Sequence, residues 1–258
     1  MQNLNVTLIQ TILHWQDPAA NRQMFEDTLV KLDTSSDLIV LPEMFSTGFT
    51  MDSSTQAEAM SGTTMAWMQQ MAEKTQSSIM GSLSMEEAGN YYNRLICMYP
   101  NGKYVYYDKR HLFRMANEHQ YYSPGKQLIT LEINGWVICP LICYDLRFPV
   151  WSRNKQGYDL LIYVANWPER RRLAWNALLK ARAIENISYV VGVNRIGKDD
   201  NGIEYSGDST ALDFLGQEII HQAYKPLTST ICLDYEKLRQ FRKQFPAHQD
   251  ADDFEIML

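Results

Sequence analysis

Three short apolar runs, each ending in an ionisable residue, constrain the fold of this chain more than any other feature. The runs begin at residues 37, 104 and 135 and end at Glu43, Lys109 and Cys143. Runs of this kind are typical of strands buried in a sheet. Because α/β sheets place their functional groups at strand ends, a carboxylate, an ammonium and a thiol become candidates for one site.

Strand-like and helix-like segments alternate along the chain, which predicts an α/β fold. Leu4, Val6 and Leu8 mark a first strand, and Asp17 then offers an N-cap before Pro18 at the first helical position. Apolar spacing predicts a second helix around residues 65–72. Further strands are expected at residues 37–41, 78–83, 158–165, 189–193 and 210–214.

Two hairpin signals interrupt this alternation. Pro100-Asn101-Gly102 and Asn134-Gly135 each lie between strand-like segments, and such turns join antiparallel neighbours. The sheets should therefore be mixed. A long amphipathic helix is expected before residue 189, with its apolar face formed by Leu173, Ala177, Leu178, Ala181, Ile184 and Ile187.

Bulk properties limit the classes of partner. The chain has 24 Lys and Arg against 30 Asp and Glu, a net charge of −6. Nucleic acid binding needs a basic surface that neutralises phosphates, so no nucleic acid partner is expected. The length of 258 residues suits one α/β domain, and we predict a single domain over residues 1–258.

The four cysteines, Cys97, Cys139, Cys143 and Cys232, lie singly in apolar stretches. A chain of this size does not need disulfide stapling, so we expect reduced thiols, with all but Cys143 in the core. The N-terminus lacks a basic segment followed by an apolar one, and no apolar run approaches the ~18 residues of a membrane span. A soluble, cytoplasmic protein without a membrane partner is expected.

Signals for a cofactor are missing from the sequence. The five histidines show no paired ligand spacing, and neither a Cys-x-x-Cys pair nor a glycine-rich phosphate loop occurs. We therefore expect neither a metal nor an organic cofactor.

The C-terminal segment differs from the rest of the chain. A charged, helix-like stretch begins at about residue 235 and ends before Pro246, and acidic residues then occupy much of 250–255. We expect a C-terminal arm that is solvated or bridges to a second subunit.

Three ordered motifs carry a family resemblance: LPEMF around Glu43, YDKRHLF around Lys109 and ICYDLRFP around Cys143. Together they resemble the nitrilase superfamily of carbon-nitrogen hydrolases across nearly the whole chain. The resemblance implies a four-layer α-β-β-α sandwich with two mixed sheets, and a homodimer.

The resemblance also implies roles. By position Glu43 would be the general base, Lys109 would stabilise the oxyanion, Cys143 would be the nucleophile, and Glu118 would help to position the lysine and the substrate. The chemistry is consistent, because an amide is a poor electrophile that requires a thiolate, and a nearby carboxylate can take the thiol proton. The N–H of Tyr144 is a second candidate oxyanion donor. Asp145 and Arg147 are expected to form an ion pair that holds the turn after the nucleophile.

The segment Asn-Trp-Pro-x-Arg at residues 166–170 resembles the branch that contains the omega-amidases. Those enzymes hydrolyse the terminal amide of 2-oxoglutaramate and 2-oxosuccinamate. Such a substrate needs an anchor for its carboxylate, and arginine binds carboxylates by paired hydrogen bonds. Arg170 is the best candidate anchor in the Arg170–Arg172 run, and Trp167 and Phe45 are candidate pocket walls.

Other functions stay open at this point. An N-carbamoyl amino acid hydrolase, another small-amide hydrolase or a nitrilase would use the same Glu, Lys and Cys. Some superfamily members are accessory binding subunits instead of enzymes, although the presence of all four candidate groups favours an enzyme.

Overall fold

Within residues 2–32 and 35–257, which the computed structural model describes, fourteen strands form two mixed sheets. The first sheet contains β1 Leu4–Gln10, β2 Leu38–Val40, β3 Glu58–Ala59, β4 Ser78–Glu87, β5 Asn90–Met98, β6 Tyr104–Asp108 and β14 Leu227–Leu233. The second contains β7 Leu131–Ile133, β8 Trp136–Ile142, β9 Leu160–Val164, β10 Tyr189–Val193, β11 Ile196–Lys198, β12 Glu204–Leu212 and β13 Glu218–Ala223.

Each sheet has a parallel centre with antiparallel neighbours. In the first sheet β1, β2 and β4 run parallel, while β14, β5 and β6 add antiparallel strands. In the second, β8, β9 and β10 run parallel, with antiparallel β7 and β12 on either side. The α-helices are α1 Pro18–Leu29, α2 Ser53–Gln56, α3 Thr63–Thr75, α4 Glu118–Tyr121, α5 Pro149–Ser152, α6 Arg172–Asn186 and α7 Tyr235–Gln244.

Both faces of the central strands are buried, and this gives the four layers. Leu38 and Val40 of β2 join the core shared with the second sheet, whereas Ile39 between them joins the core beneath α1 and α3. The same is true of β1, where Leu8 and Ile9 belong to different cores. Strands buried on both faces read as continuous apolar runs. The predicted α-β-β-α sandwich is confirmed.

The Asn134-Gly135 hairpin is confirmed between β7 and β8. A two-residue turn of this type needs positive φ at both positions, and Asn134 has φ 52° and Gly135 has φ 84°. The helix start at Asp17 is also confirmed, because its side chain accepts a hydrogen bond from the Ala20 N–H.

The long helix α6 lies where expected, but the prediction of its apolar face is correct only in part. Ile187 is buried and Leu178 packs against the core, whereas Leu173, Ala177 and Ile184 are exposed. Trp175, Leu179 and Ala183 are buried, whereas Leu173 is 82% and Ile184 53% exposed. The helix carries two apolar stripes, and the one with the larger side chains packs on β10. Gly192 of β10 permits this approach, since an added Cβ would lie 2.6 Å from a Leu179 methyl carbon.

The C-terminal segment packs on the body of the molecule. Leu238 of α7 is buried, and the Phe241 ring stacks on Phe214 at 4.9 Å between centroids. Beyond the helix, the Lys155 ammonium donates to the Phe254 carbonyl at 2.8 Å. The segment is thus held by both apolar and polar contacts.

Cys97 and Cys139 are buried as predicted, but Cys232 is exposed. On strand β14 Ile231 and Leu233 are buried in the core, whereas Cys232 between them points to the opposite, exposed face of the strand. Among the described helices, none combines the length and apolarity that crossing a membrane requires.

Candidate active site

The ends of three strands bring the candidate residues together between the two sheets. Glu43 lies just after β2 and Lys109 just after β6 in the first sheet, while Cys143 follows β8 in the second. Glu118, the first residue of α4, completes the group. We call these four residues the floor cluster. Lys109 and Cys143 line a cavity of about 510 Å³.

Backbone strain marks the exit of two of these strands. Cys143 has φ 43° and begins a 3₁₀ turn over Cys143–Arg147, and Met44, directly after Glu43, also has φ 43°. Residues other than glycine seldom adopt this left-handed conformation, which costs about 1–3 kcal/mol and persists only where neighbours enforce it. The turn leaves Cys143 9% exposed beside the cavity.

Hydrogen bonds join the three charged members of the floor cluster. The Lys109 ammonium donates to Glu43 Oε1 at 2.8 Å and to both Glu118 carboxylate oxygens at 3.0 Å. All three side chains have no exposed surface. A buried ammonium is stable as a charge only when it is paired in this way.

Two asparagines that sequence reasoning did not select hold the glutamates. The Asn93 side-chain amide donates to Glu43 Oε1 at 2.8 Å and to Glu118 Oε1 at 3.2 Å. The Asn166 backbone N–H donates to Glu43 Oε2 at 2.7 Å. A signal for Asn93 existed, because it is a polar residue inside a predicted strand, but nothing in the sequence identified its partners.

Burial and charge set the protonation of the floor cluster. Burial, followed by the charge of Glu43, raises the pKa of the Cys143 thiol well above its ordinary value, and Lys109 opposes this only in part. Burial disfavours the Lys109 ammonium, but the charges of Glu118 and Glu43 outweigh it and hold the lysine pKa above its usual range. Burial likewise raises the pKa of Glu118. The resting thiol is therefore protonated and the lysine charged.

The cavity walls include three of the four predicted substrate contacts, Tyr144, Trp167 and Arg170. Phe45 is not among them: its ring packs against Phe25 and Trp67 in the core beneath α1 and α3. That part of the prediction is wrong, because the turn after Glu43 directs Phe45 into the core.

Phe49, four residues after Phe45, lines the cavity instead. The Lys109 ammonium lies 5.0 Å from the centroid of its ring.

Arginines surround the entrance. Arg147, Arg170 and Arg171 line the cavity, and we call them the mouth arginines. Arg147 and Arg170 are exposed, while Arg171 is partly buried over the Phe113 ring at 4.8 Å. In the described part of the chain none of the three pairs with a carboxylate. Burial, and then the charge of Arg170, lowers the pKa of Arg171.

The neighbouring charges have other partners. Arg172 forms an ion pair with Asp208, with 2.6 Å between Nη2 and Oδ1, and is not part of the cavity lining. The expected pair between Asp145 and Arg147 is not formed. The Arg147 guanidinium lies over the Trp167 ring at 5.0 Å, because the 3₁₀ turn directs Asp145 into the interior and Arg147 outward. Asp145 contacts His111 instead, at 2.8 Å.

Within residues 2–32 and 35–257, no three His, Cys, Asp or Glu side chains are grouped as metal ligands. The cationic lysine inside the floor cluster would also repel a metal ion.

Residues 5–243 match the carbon-nitrogen hydrolase family. The chain belongs to the carbon-nitrogen hydrolases. Among its relatives in that family, it is 45% identical over 257 residues to Omega-amidase YafV of Escherichia coli K12, covering 99% of this chain and 100% of the relative. It is 28% identical over 250 residues to the 2-oxoglutaramate amidase of Bacillus subtilis, covering 95% and 96%.

Solved structures of carbon-nitrogen hydrolases share the fold. The protein XC1258 of Xanthomonas campestris, described as a CN-hydrolase superfamily protein with an arsenic adduct in its active site, superposes with a TM-score of 0.98. It is 41% identical, and the match covers 100% of both chains. Nit3 of Saccharomyces cerevisiae, a member of the nitrilase superfamily, superposes with a TM-score of 0.85 at 24% identity over 95% of each chain.

Proposed function

We propose that this protein is an omega-amidase. It hydrolyses the terminal amide of 2-oxoglutaramate, and of 2-oxosuccinamate, to the 2-oxo dicarboxylate and ammonia through a cysteine thioester. One observation carries the proposal: a thiol beside a buried, paired carboxylate and ammonium opens into a cavity whose entrance holds unpaired arginines. Relatives of this chain named omega-amidase and 2-oxoglutaramate amidase support the same reading.

The first half of the reaction forms the thioester. Because the thiol is protonated at rest, Glu43 takes its proton as Sγ attacks the amide carbon. The carbonyl oxygen becomes an oxyanion, which the Lys109 ammonium and the Tyr144 N–H stabilise. Donors of this kind lower such barriers by roughly 3–4 kcal/mol each.

Collapse of the intermediate then releases ammonia. Glu43, now protonated, gives its proton to the amide nitrogen as the carbon-nitrogen bond breaks, and the acyl group stays on Cys143 as a thioester. A water molecule next attacks that thioester and gives a proton to Glu43, and Glu43 passes this proton to the departing sulfur. Glu43 thus serves both half-reactions, as a base and as an acid in turn.

Glu118 and Asn93 act through Lys109 and Glu43. With both Glu118 oxygens at 3.0 Å from Nζ, the lysine keeps its charge and its direction. A group fixed before the reaction stabilises developing charge without reorganisation in the transition state.

The mouth arginines suit a substrate with a carboxylate far from the reacting amide. Arg170 remains the proposed anchor from the sequence, and Arg147 and Arg171 add two unpaired guanidinium groups beside it. The planar guanidinium binds a carboxylate with two parallel hydrogen bonds. Trp167, which lines the same cavity, is proposed as the wall against the carbon chain.

We also propose a single domain over residues 1–258 with a C-terminal arm from about 235, assembled as a cytoplasmic homodimer. Exposed Leu173 and Ile184 on α6 supply an apolar stripe suited to a subunit contact. Four free cysteines are consistent with a reducing compartment.

A substrate panel tests the function. Purified protein should release ammonia from 2-oxoglutaramate faster than from glutamine, asparagine or simple nitriles. Glutamine differs from 2-oxoglutaramate by an ammonium at C2, which the mouth arginines repel. The Cys143→Ala variant serves as the blank for contaminating amidases.

Equal rates on nitriles would contradict the omega-amidase proposal and favour a nitrilase. Faster turnover of N-carbamoyl amino acids would favour that hydrolase class. No turnover of any short amide or nitrile would point to a binding subunit.

A further inference from the structure

Lys109 and Cys143 come from different sheets, yet both must contact the same carbonyl group in the proposed reaction. Misplacement by about 1 Å can cost on the order of 100-fold in rate. We propose that Asp145 is a positioning residue. It fixes residues 107–111, which we call the Lys109 loop, against the 3₁₀ turn Cys143–Arg147, which we call the Cys143 turn. This inference rests on the proposed function and assigns Asp145 no contact with substrate.

Asp145 reaches the Lys109 loop on both sides of the lysine. Oδ1 accepts a hydrogen bond from the His111 backbone N–H at 3.0 Å, and the His111 Nδ1 atom lies 2.8 Å from the same oxygen. Oδ2 accepts a hydrogen bond from the Tyr107 hydroxyl at 2.8 Å. Tyr107 and His111 stand two residues before and two residues after Lys109, so one carboxylate brackets the lysine.

The same carboxylate also holds the Cys143 turn. Oδ2 also accepts a hydrogen bond from the backbone N–H of Ile142, at 3.1 Å. Ile142 directly precedes Cys143, whose φ of 43° requires support from its surroundings. Asp145 itself is fully buried within the 3₁₀ turn. The side chain therefore ties the residue before Cys143 to the residues around Lys109.

Further contacts fix the direction of these bonds. The Tyr107 hydroxyl accepts hydrogen bonds from the Trp151 ring N–H at 3.0 Å and from the Arg110 N–H at 3.2 Å. Its own proton is thereby directed to Asp145. The His111 ring stacks on Phe148 with 3.7 Å between centroids and 5° between planes. Both residues that bracket Lys109 are locked in the orientation that Asp145 requires.

Four donors converge on Asp145, and only a carboxylate can accept from all of them. An asparagine has nearly the same volume but replaces one oxygen with a donor group. If Oδ2 is replaced, the Tyr107 hydroxyl and the Ile142 N–H face an N–H₂ group. If Oδ1 is replaced, the His111 backbone N–H faces it, while the His111 ring can change tautomer and accept from it. In both cases a backbone donor loses its acceptor, and at least one of the two segments must shift. Asp145→Asn therefore separates packing from hydrogen bonding.

The test compares kcat with KM for Asp145→Asn on 2-oxoglutaramate, or on any short amide that the wild type hydrolyses. We expect kcat to fall by about 10- to 100-fold, since Lys109 and Cys143 lose their correct position relative to each other. KM should change less than about twofold, because Arg170 and Arg171, two of the three mouth arginines, lie outside the turn that Asp145 holds.

Asp159→Asn is the matched control. Asp159 is another buried carboxylate, near the opposite end of β8, that accepts hydrogen bonds from the Val137 N–H at 3.1 Å and from Arg242 at 2.8 Å. We expect both variants to lose thermal stability and only Asp145→Asn to lose kcat. Equal kcat values for the two variants, with matching losses of Tm, would reduce Asp145 to a structural role and overturn the inference.

A milder variant covers the case in which Asp145→Asn does not fold. Tyr107→Phe removes one of the four donors and should lower kcat several-fold at constant KM, whereas an unchanged kcat would refute the inference. A wild type that hydrolyses no amide would contradict the proposed function instead. The rate of Cys143 alkylation by iodoacetamide would then decide between the Asp145 and Asp159 variants, with a slower rate expected for Asp145→Asn alone.

Discussion

The floor cluster and the mouth arginines are both groups of charged side chains, but they differ in pairing and exposure. In the floor cluster Glu43, Lys109 and Glu118 are buried and joined by hydrogen bonds of 2.8 to 3.0 Å. The mouth arginines reach solvent at least in part, and no described carboxylate pairs with them. Buried charges must be paired within the protein, whereas exposed cations are hydrated by water and are free to bind an anionic ligand.

This difference separates chemistry from recognition. In the proposed reaction the floor cluster acts on the carbonyl group of the amide, and the mouth arginines bind the carboxylate of the substrate. Changes in the floor cluster should therefore affect kcat, and changes at the mouth should affect KM.

The largest expected effect is from Cys143→Ala. We expect kcat to fall by at least about 10,000-fold, because Cys143 is the only thiol among the described residues that line the cavity. Ammonia release under saturating 2-oxoglutaramate measures it.

Cys139→Ala is the matched control for the nucleophile. Cys139 lies four residues earlier on β8 in hydrocarbon, where burial raises the pKa of its thiol. This control should retain kcat, with a modest loss of Tm from the small cavity. Comparable kcat values for Cys143→Ala and Cys139→Ala would show that Cys143 is not the nucleophile.

Glu43→Gln should have the next largest effect. Because the residue transfers protons in both half-reactions, kcat should fall beyond the about 100- to 10,000-fold typical of one general acid-base step. Single-turnover measurements should show both thioester formation and its hydrolysis to be slow.

Glu118→Gln is the comparison for that prediction. It leaves the general base intact and weakens the hydrogen bonds that Glu118 accepts from Lys109 and from the Phe113 N–H, so its loss of kcat should be smaller. A loss below tenfold for Glu43→Gln would show that the base is another group.

The mouth should show a smaller effect that falls on KM. Arg171 is the most buried of the three arginines and lies over Phe113 at 4.8 Å. A charged hydrogen bond contributes about 1.5–3 kcal/mol, so Arg171→Met should raise KM for 2-oxoglutaramate by about 10- to 100-fold with little change in kcat. Steady-state kinetics on 2-oxoglutaramate measure both constants.

Arg172→Met is the matched control, because Arg172 is bound to Asp208 outside the cavity lining. It should leave KM unchanged. A fall in kcat without a rise in KM for Arg171→Met would show that recognition and chemistry are not separated in this site.

Sequence reasoning succeeded where local rules decide the structure. The Asn134-Gly135 hairpin followed from backbone conformation, and the N-cap at Asp17 followed from an orphan donor at the helix start. It failed where two local solutions were equal. Helix α6 carries two apolar stripes, and only packing against Gly192 selects between them.

The same limit applies within the site. Family motifs pointed to Glu43, Lys109 and Cys143, and the chain brings these residues together. The sequence did not reveal that Phe49 and not Phe45 would line the cavity, because a single left-handed residue at Met44 redirects the segment. Nor did it show that Asp145 contacts His111 and not Arg147. His111 follows a strand of the first sheet and Asp145 follows a strand of the second, so their contact depends on how the sheets pack.

By itself the sequence determined which types of group lie at the strand ends. Apolar runs must be buried as strands, and the ionisable residues that follow them must lie where the strands leave the sheet. Only the tertiary structure decided which groups meet. Partners are selected by the packing of two sheets face to face, and burial between them makes each unpaired donor or charge costly. That cost excludes arrangements in which a buried ionisable residue has no partner.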